Sequence, residues 1–227
     1  MAPLIEVTKN VLKGLDQLKI PYNLKKENNS KAKSEIYNPK SNIIKSNYIK
    51  LGIENIEKNF DENKGFDIAI ARSEFSKNWE EQNISLLEKG LYMSNIKEFM
   101  TFHNSIMDAY KNNTQLFNAE GNEISSKVIK DLYNQLTRDE WTNLNAKFEK
   151  DNSGGWTAKE AVRLDKNKNI IYNSKKVSVP IQDNCYVNPK TLNEDSFPTE
   201  KSKKQKFQRG ENIYFWSPRD GAVARFF

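Results

Sequence analysis

The chain has 227 residues, 37% of them hydrophobic and 29% charged, with a formal net charge of +6 and one cysteine, Cys185. This size and composition fit one sizeable domain with an extension, or two small domains, and they exclude an internal disulfide framework and a Cys-cluster metal site. The opening MAPLIEVTKN lacks the features of a secretory leader and no run of about 18 apolar residues is present to cross a membrane, so the cytoplasm is the expected compartment.

The positive surplus lies at the front. Residues 1–50 hold ten Lys against four acids, and the remainder holds 26 Lys plus Arg against 26 Asp plus Glu. Within this part, Val7, Val11, Leu12, Leu15 and Leu18 recur at helical spacing, and Ile20-Pro21 closes a short amphipathic helix. From Leu24 to Asn47 the chain is polar and reads as a linker. Residues 1–48 are therefore expected to form a basic, partly flexible arm, and residues 49–227 an α+β domain. Such an arm can meet nucleic acid or another anionic surface. Here the lysines are diluted by Asn and Ser, with no Arg cluster and no interleaved aromatic residues.

The compact part begins near Ile49. Phe66, Ile68 and Ile70 alternate with Asp67 and Ala69, which predicts a strand. SEFSKNWEEQNISLLEKG follows as a surface-lying helix or loop carrying Phe75, Trp79, Ile84, Leu86 and Leu87. Asn95 and Glu98 then form a capping-box pair. Behind them Ile96, Phe99, Met100, His103, Ile106, Met107 and Tyr110 make one apolar stripe that ends at Asn112-Asn113. QLFNAEGNEIS predicts a tight hairpin. A second helix over SKVIKDLYNQL presents Val128, Ile129, Leu132, Tyr133 and Leu136. Thr137 with Glu140 predicts a third helix, with Trp141, Leu144 and Phe148 on its inner face. After Asp151, DNSGGW is a turn, and Val162 to Leu164 and Ile170 to Tyr172 flank the loop DKNKN as a hairpin. Val177 and Val179 alternate, Asn184 to Arg209 is irregular, and Ile213 to Trp216 resumes an extended pattern. Helices first, then short antiparallel strands with long loops, is an α+β arrangement.

The usual catalytic templates are missing. His103, the sole histidine, lies on an apolar helical stripe and reads as a core residue. Neither GxxxxGK[ST] nor GxGxxG occurs, and Cys185 has no basic neighbour to activate it. DKNKN lacks the sixth-position Gly and the twelfth-position Glu of a calcium loop and reads as a turn. No catalytic residue, metal site or cofactor is assigned from these patterns, and a non-enzyme is the favoured reading. Two alternatives stay open: a nucleic-acid-associated protein using the arm, and a hydrolase with an unidentified carboxylate pair.

The segment GENIYFWSPRDGAVARFF carries an aromatic strand, a Ser-Pro break, an Asp-Gly turn and a second strand expected to have Val223 inward and Arg225 on the same parity. It resembles the stretch just upstream of the variable region in archaeal proteins of diversity-generating retroelements. IAIARSEFSKNW, LYMSNIKEFMTF and EWTNLNAKF are similar to the body of those proteins, so the resemblance covers residues 66 to 227. It implies a C-type-lectin-like scaffold that displays variable residues to a protein or cell-surface ligand. Because those residues would follow the VARF-like stretch, it also implies a chain ending before its variable region, with an exposed strand edge at Val223 to Phe227 and no binding residue to carry over. Trp141, Trp156, Tyr214, Trp216 and Pro218 are the expected scaffold-core residues.

Overall fold

The computed structural model describes residues 44–51, 65–71, 73–74, 76–138 and 142–226. The expected amphipathic helix at Val7 to Leu18 and most of the linker lie outside these residues, as do Phe75, Glu140 and Trp141.

Among the described residues there are three α-helices, α1 (Trp79–Glu88), α2 (Ile96–Asn112) and α3 (Ser126–Leu136). The first two begin with the same device. Asn78 Oδ1 accepts from Glu81 N while Glu81 Oε2 accepts from Asn78 N, and Asn95 and Glu98 repeat the exchange. Such a cap contributes about 1 kcal/mol by satisfying backbone donors that the first turn leaves open. Asn113, in the left-handed region at φ 55°, terminates α2. The eight strands among the described residues are β1 (Tyr48–Leu51), β2 (Phe66–Ala69), β3 (Thr142–Lys150), β4 (Trp156–Leu164), β5 (Ile170–Val177), β6 (Cys185–Val187), β7 (Ile213–Phe215) and β8 (Val223–Phe226). β1 and β2 form one antiparallel pair, and the rest form a six-stranded antiparallel sheet in the order β5-β4-β3-β8-β7-β6. The fold is α+β.

The expected third helix is strand β3. Leu144 and Phe148 are four residues apart, a spacing shared by one helix face and one strand face. Ala146 between them is also buried, which fits period two. Thr137 does not open a helix. It closes α3, donating from Oγ1 to Tyr133 O at 2.6 Å. The ladder from β3 to β4 runs only from Lys147 to Lys150, and a side chain continues it. Asn145 Nδ2 donates to Ala161 O and Asn145 Oδ1 accepts from Ala161 N, at 2.9 and 2.8 Å.

The VARF strand is likewise not an exposed edge. β8 pairs with β3 on one side and β7 on the other. Its inward residues are Ala224 and Phe226, 3% and 1% exposed, and not Val223 and Arg225. Phe226 packs on Phe99 and Phe215, and Ala224 shares its parity, so the expected inward pair faces the other way. The region from Asn184 to Arg209 also holds an element that its polar composition hides, the edge strand β6.

One face of the sheet is covered, and the other is covered in part. Leu144, Ala146, Phe148, Phe215 and Phe226 pack against Ile96, Phe99 and Met100 of α2 and against Val179, Ile181 and Phe197 from the loops. On the other face Ala161 and Leu164 pack with Trp79, Leu87 and Met93, and Lys147 reaches Glu80 of α1 at 3.0 Å. A second apolar cluster joins Ile49 and Leu51 of β1 to the later turns of α2 and to Ile129, Leu132 and Tyr133 of α3. The residues just before β1, read from sequence as linker, join this part: Asn47 O accepts from Ile70 N at 2.9 Å. The segment expected as a tight hairpin turns at Gly121, with Asn118 N donating to Asn122 O.

Candidate functional site

The large concavity of the molecule is an open cleft of about 1350 Å³. Its walls come from β1, β2, the chain from Ser73 to Ser94, the first turns of α2, the end of α3 and the start of β3. The volume exceeds the roughly 300–1,000 Å³ typical of small-molecule pockets, so the shape suits an extended ligand or a macromolecular surface. Phe66, Ile68, Phe99, Phe102, Leu132 and Leu136 supply apolar lining, and Lys77, Lys89, Gln82, Gln135 and Asn143 supply polar groups.

One wall is built around Glu74. Its carboxylate is 6% exposed and is bound by Lys77 Nζ at 2.5 Å and by Lys89 Nζ. Burial alone would raise the pKa of this group. The hydrogen bonds from the two lysines outweigh it and hold the carboxyl at about 2. Gln82 Nε2 donates to Glu74 O at 3.0 Å, tying the same residue to α1. Glu74 and Ser76 both adopt positive φ, 62° and 61°. Left-handed backbone at non-glycine residues persists only where surrounding bonds over-determine it, and the Lys77–Glu74–Lys89 cluster with Gln82 does this here. Nearby, Tyr92 donates its hydroxyl proton to Glu98 Oε1 at 2.9 Å. Burial and the Glu98 charge push its pKa up to about 12.

The four carboxylates lining the cleft are therefore each occupied. Asp67 pairs with Lys50, Glu74 with two lysines, Glu88 with Lys168, and Glu98 serves both the α2 cap and Tyr92. Glu74 in particular is a poor general base, because its two lysines have already lowered its proton affinity. Glu160 is raised by burial and then by the Glu98 charge, but it stands on β4 and does not line the cleft. Among the described residues no group of three or more His, Cys, Asp or Glu is placed to hold a metal ion.

His103 is 2% exposed inside α2, next to the Phe99 ring, and burial lowers its pKa to about 4. It is neutral and is not among the residues that line the cleft. Cys185 is buried in β6 and its thiol is raised by burial. Asp165 accepts from Asn167 N and Asn169 N at 2.8 Å, so DKNKN is a carboxylate-closed turn. Of the expected scaffold residues, Trp156 is half-buried at the start of β4, edge-on to Phe148. Tyr214 and Trp216 are half-buried with ring centroids 5.4 Å apart, and Pro218 is buried. Trp141 lies outside the described residues. The structure brings Tyr214 and Trp216 together with Tyr186 of β6, whose ring is 5.0 Å from that of Tyr214. Nothing in the local sequence marks Tyr186 or Glu74. Tyr186 is an isolated aromatic in a polar stretch, and the two lysines that fix Glu74 are three and 15 residues away.

Comparison with protein-family models, with curated proteins and with solved structures gives no match for this chain.

Proposed function

We propose that the protein is a non-enzymatic ligand-binding and display scaffold of the C-type-lectin-like type. The reading rests on the resemblance carried by IYFWSPRDGAVARF, and one observation supports it. That segment lies inside the sheet. β8 is bonded on both sides, Phe226 packs at 5.7 Å on Phe99 and 5.6 Å on Phe215, and Pro218 is buried in the connection. A display protein needs such a base, because side chains can vary beside it only if the backbone does not follow them. The occupied carboxylates of the cleft fit binding better than hydrolysis, and the cleft's size fits a protein or cell-surface partner. The ligand-contacting residues of the resembled family follow the VARF-like stretch, so the test is genetic. The reading frame beyond the Phe227 codon should encode a variable segment, with a reverse transcriptase gene nearby. A locus with neither removes the support for this function.

A further inference from the structure

We propose that the protein pairs with a second copy of itself along the open edge of β5, as an antiparallel strand pair centred on Ser174. The pairing is independent of the display function and does not use the cleft.

The two edges of the six-stranded sheet differ. At the β6 edge the chain covers its own strand. Ser202 N donates to Tyr186 O at 2.7 Å, Gln205 exchanges two bonds of 3.1 Å with the Tyr186 backbone, and Val187 bridges to Lys201. At the other edge β5 runs for eight residues with β4 as its one strand neighbour among the described residues. Residues 172–176 are all exposed. An edge of this length with nothing across it is a template for one more strand.

The bonds of Ala161 show which backbone groups face outward. Its N–H and C=O both go to the Asn145 side chain, on the β3 side of β4. Backbone groups alternate in direction along a strand, so Trp156, Ala158 and Glu160 turn theirs to β5. Their register partners Val177, Lys175 and Asn173 answer them. Tyr172, Ser174 and Lys176 therefore turn their N–H and C=O to the open edge, where no described residue bonds them.

Outward residues must meet outward residues, which limits the registers of a twofold pair. With the axis at Ser174, that residue faces its own copy and Tyr172 faces Lys176, each pair exchanging N–H and C=O bonds. Between these, Asn173 meets Lys175 and Ile171 meets Val177. An axis at Lys175 would oppose that lysine to itself, and one at Asn173 would set both isoleucines of β5 against lysines. Lysines on an edge ordinarily keep other strands away. Here both are engaged within the chain, Lys175 Nζ at 2.5 Å from Asp195 Oδ1 and Lys176 Nζ at 3.7 Å from Asp151 Oδ2. With the β6 edge covered, the pairing closes at two chains.

Sedimentation velocity of the full-length chain from about 1 to 100 μM tests this, with a dimer expected at the upper end. Ser174→Lys and Ser174→Glu each place like charges opposite one another and should each raise the dissociation constant about fivefold or more. Mixed in equal amounts they should recover the dimer, because Lys then faces Glu. Ser174→Pro removes an outward N–H and no bond to β4, so it should give a monomer with the circular dichroism of the wild type. A wild type that stays monomeric overturns the proposal. So does a dimer that all three variants leave intact, which places the contact elsewhere. Species larger than a dimer contradict a closed pair, and no recovery on mixing moves the axis off Ser174; either result overturns it.

Discussion

Acidification should destabilise this protein through one buried imidazole, starting well above the carboxylate range. His103 is 2% exposed, with Nδ1 at 3.3 Å from Asn104 Oδ1 and the Phe99 ring beside it. Burial lowers its pKa from 6.5 to about 4. The Asn104 hydrogen bond opposes this shift, and the Lys111 charge adds to it. The folded protein thus holds the ring neutral while the unfolded chain protonates it below about pH 6.5. Between pH 6.5 and 4 the unfolded state carries the extra proton, so stability falls as pH falls, by about 1.4 kcal/mol per unit. The whole window amounts to about 3 kcal/mol, a large share of the roughly 5–15 kcal/mol that holds a domain folded. Urea unfolding of the wild type and of His103→Gln from pH 7 to pH 5 measures it, because few carboxylates titrate there. The variant should be less stable at pH 7 through lost packing, yet nearly flat with pH where the wild type declines. Parallel curves for the two proteins would refute the reasoning. Glu74 adds a separate, lower window. Its folded pKa of about 2 lies below the ordinary 4.5, so its contribution is present above pH 4.5 and is lost as pH falls towards 2.

Asn145→Ala should cost about 2–4 kcal/mol in chemical denaturation, because it strands the Ala161 N–H and C=O in the interior. A loss below about 0.5 kcal/mol would mean that water or a shifted strand replaces the side chain. Gly210→Ala should lower the melting temperature clearly more than Gly121→Ala. Both residues have positive φ, but a Cβ on Gly210 would come within 2.8 Å of Tyr133 Oη, while one on Gly121 meets nothing within 4 Å. Equal shifts would show that backbone strain alone decides the outcome. Cys185 should react slowly with a thiol reagent at pH 8 in the native state and rapidly in urea, since burial both shields the thiol and raises its pKa. Fast native labelling would contradict its placement in β6.

The legible parts of the fold were those fixed by local chemistry. The α2 cap at Asn95 and Glu98, its apolar stripe and its stop at Asn113 all stand in consecutive residues, and the DKNKN turn is closed by its own first side chain. Legibility failed where two periods coincide. Leu144 and Phe148 satisfy a helix and a strand equally, and only pairing with β4 and β8 selects the strand. The place of β8 was hidden for a related reason. Its partner β3 is 81 positions earlier when Thr142 is counted from Val223, and β3 itself had been read as a helix. Of the cleft, Tyr92 and Glu98 are near in sequence, but Glu74 gains its meaning from Lys77, Lys89 and Gln82 only after α1 has folded. The lysine run KSKKQK was visible as composition. The buried amide of Asn212 that bonds to Ser202, Lys204 and Lys206 lies beyond the run and gives no sign of that role.

The most direct test of the central claim is sequencing of the locus across many genomes of one population. A display scaffold built on the β7–β8 hairpin predicts a near-constant region through the Phe226 codon, followed in frame by clustered variable codons, with a reverse transcriptase gene close by. Uniform variation along the whole gene, or no variable segment and no such neighbour, would contradict it.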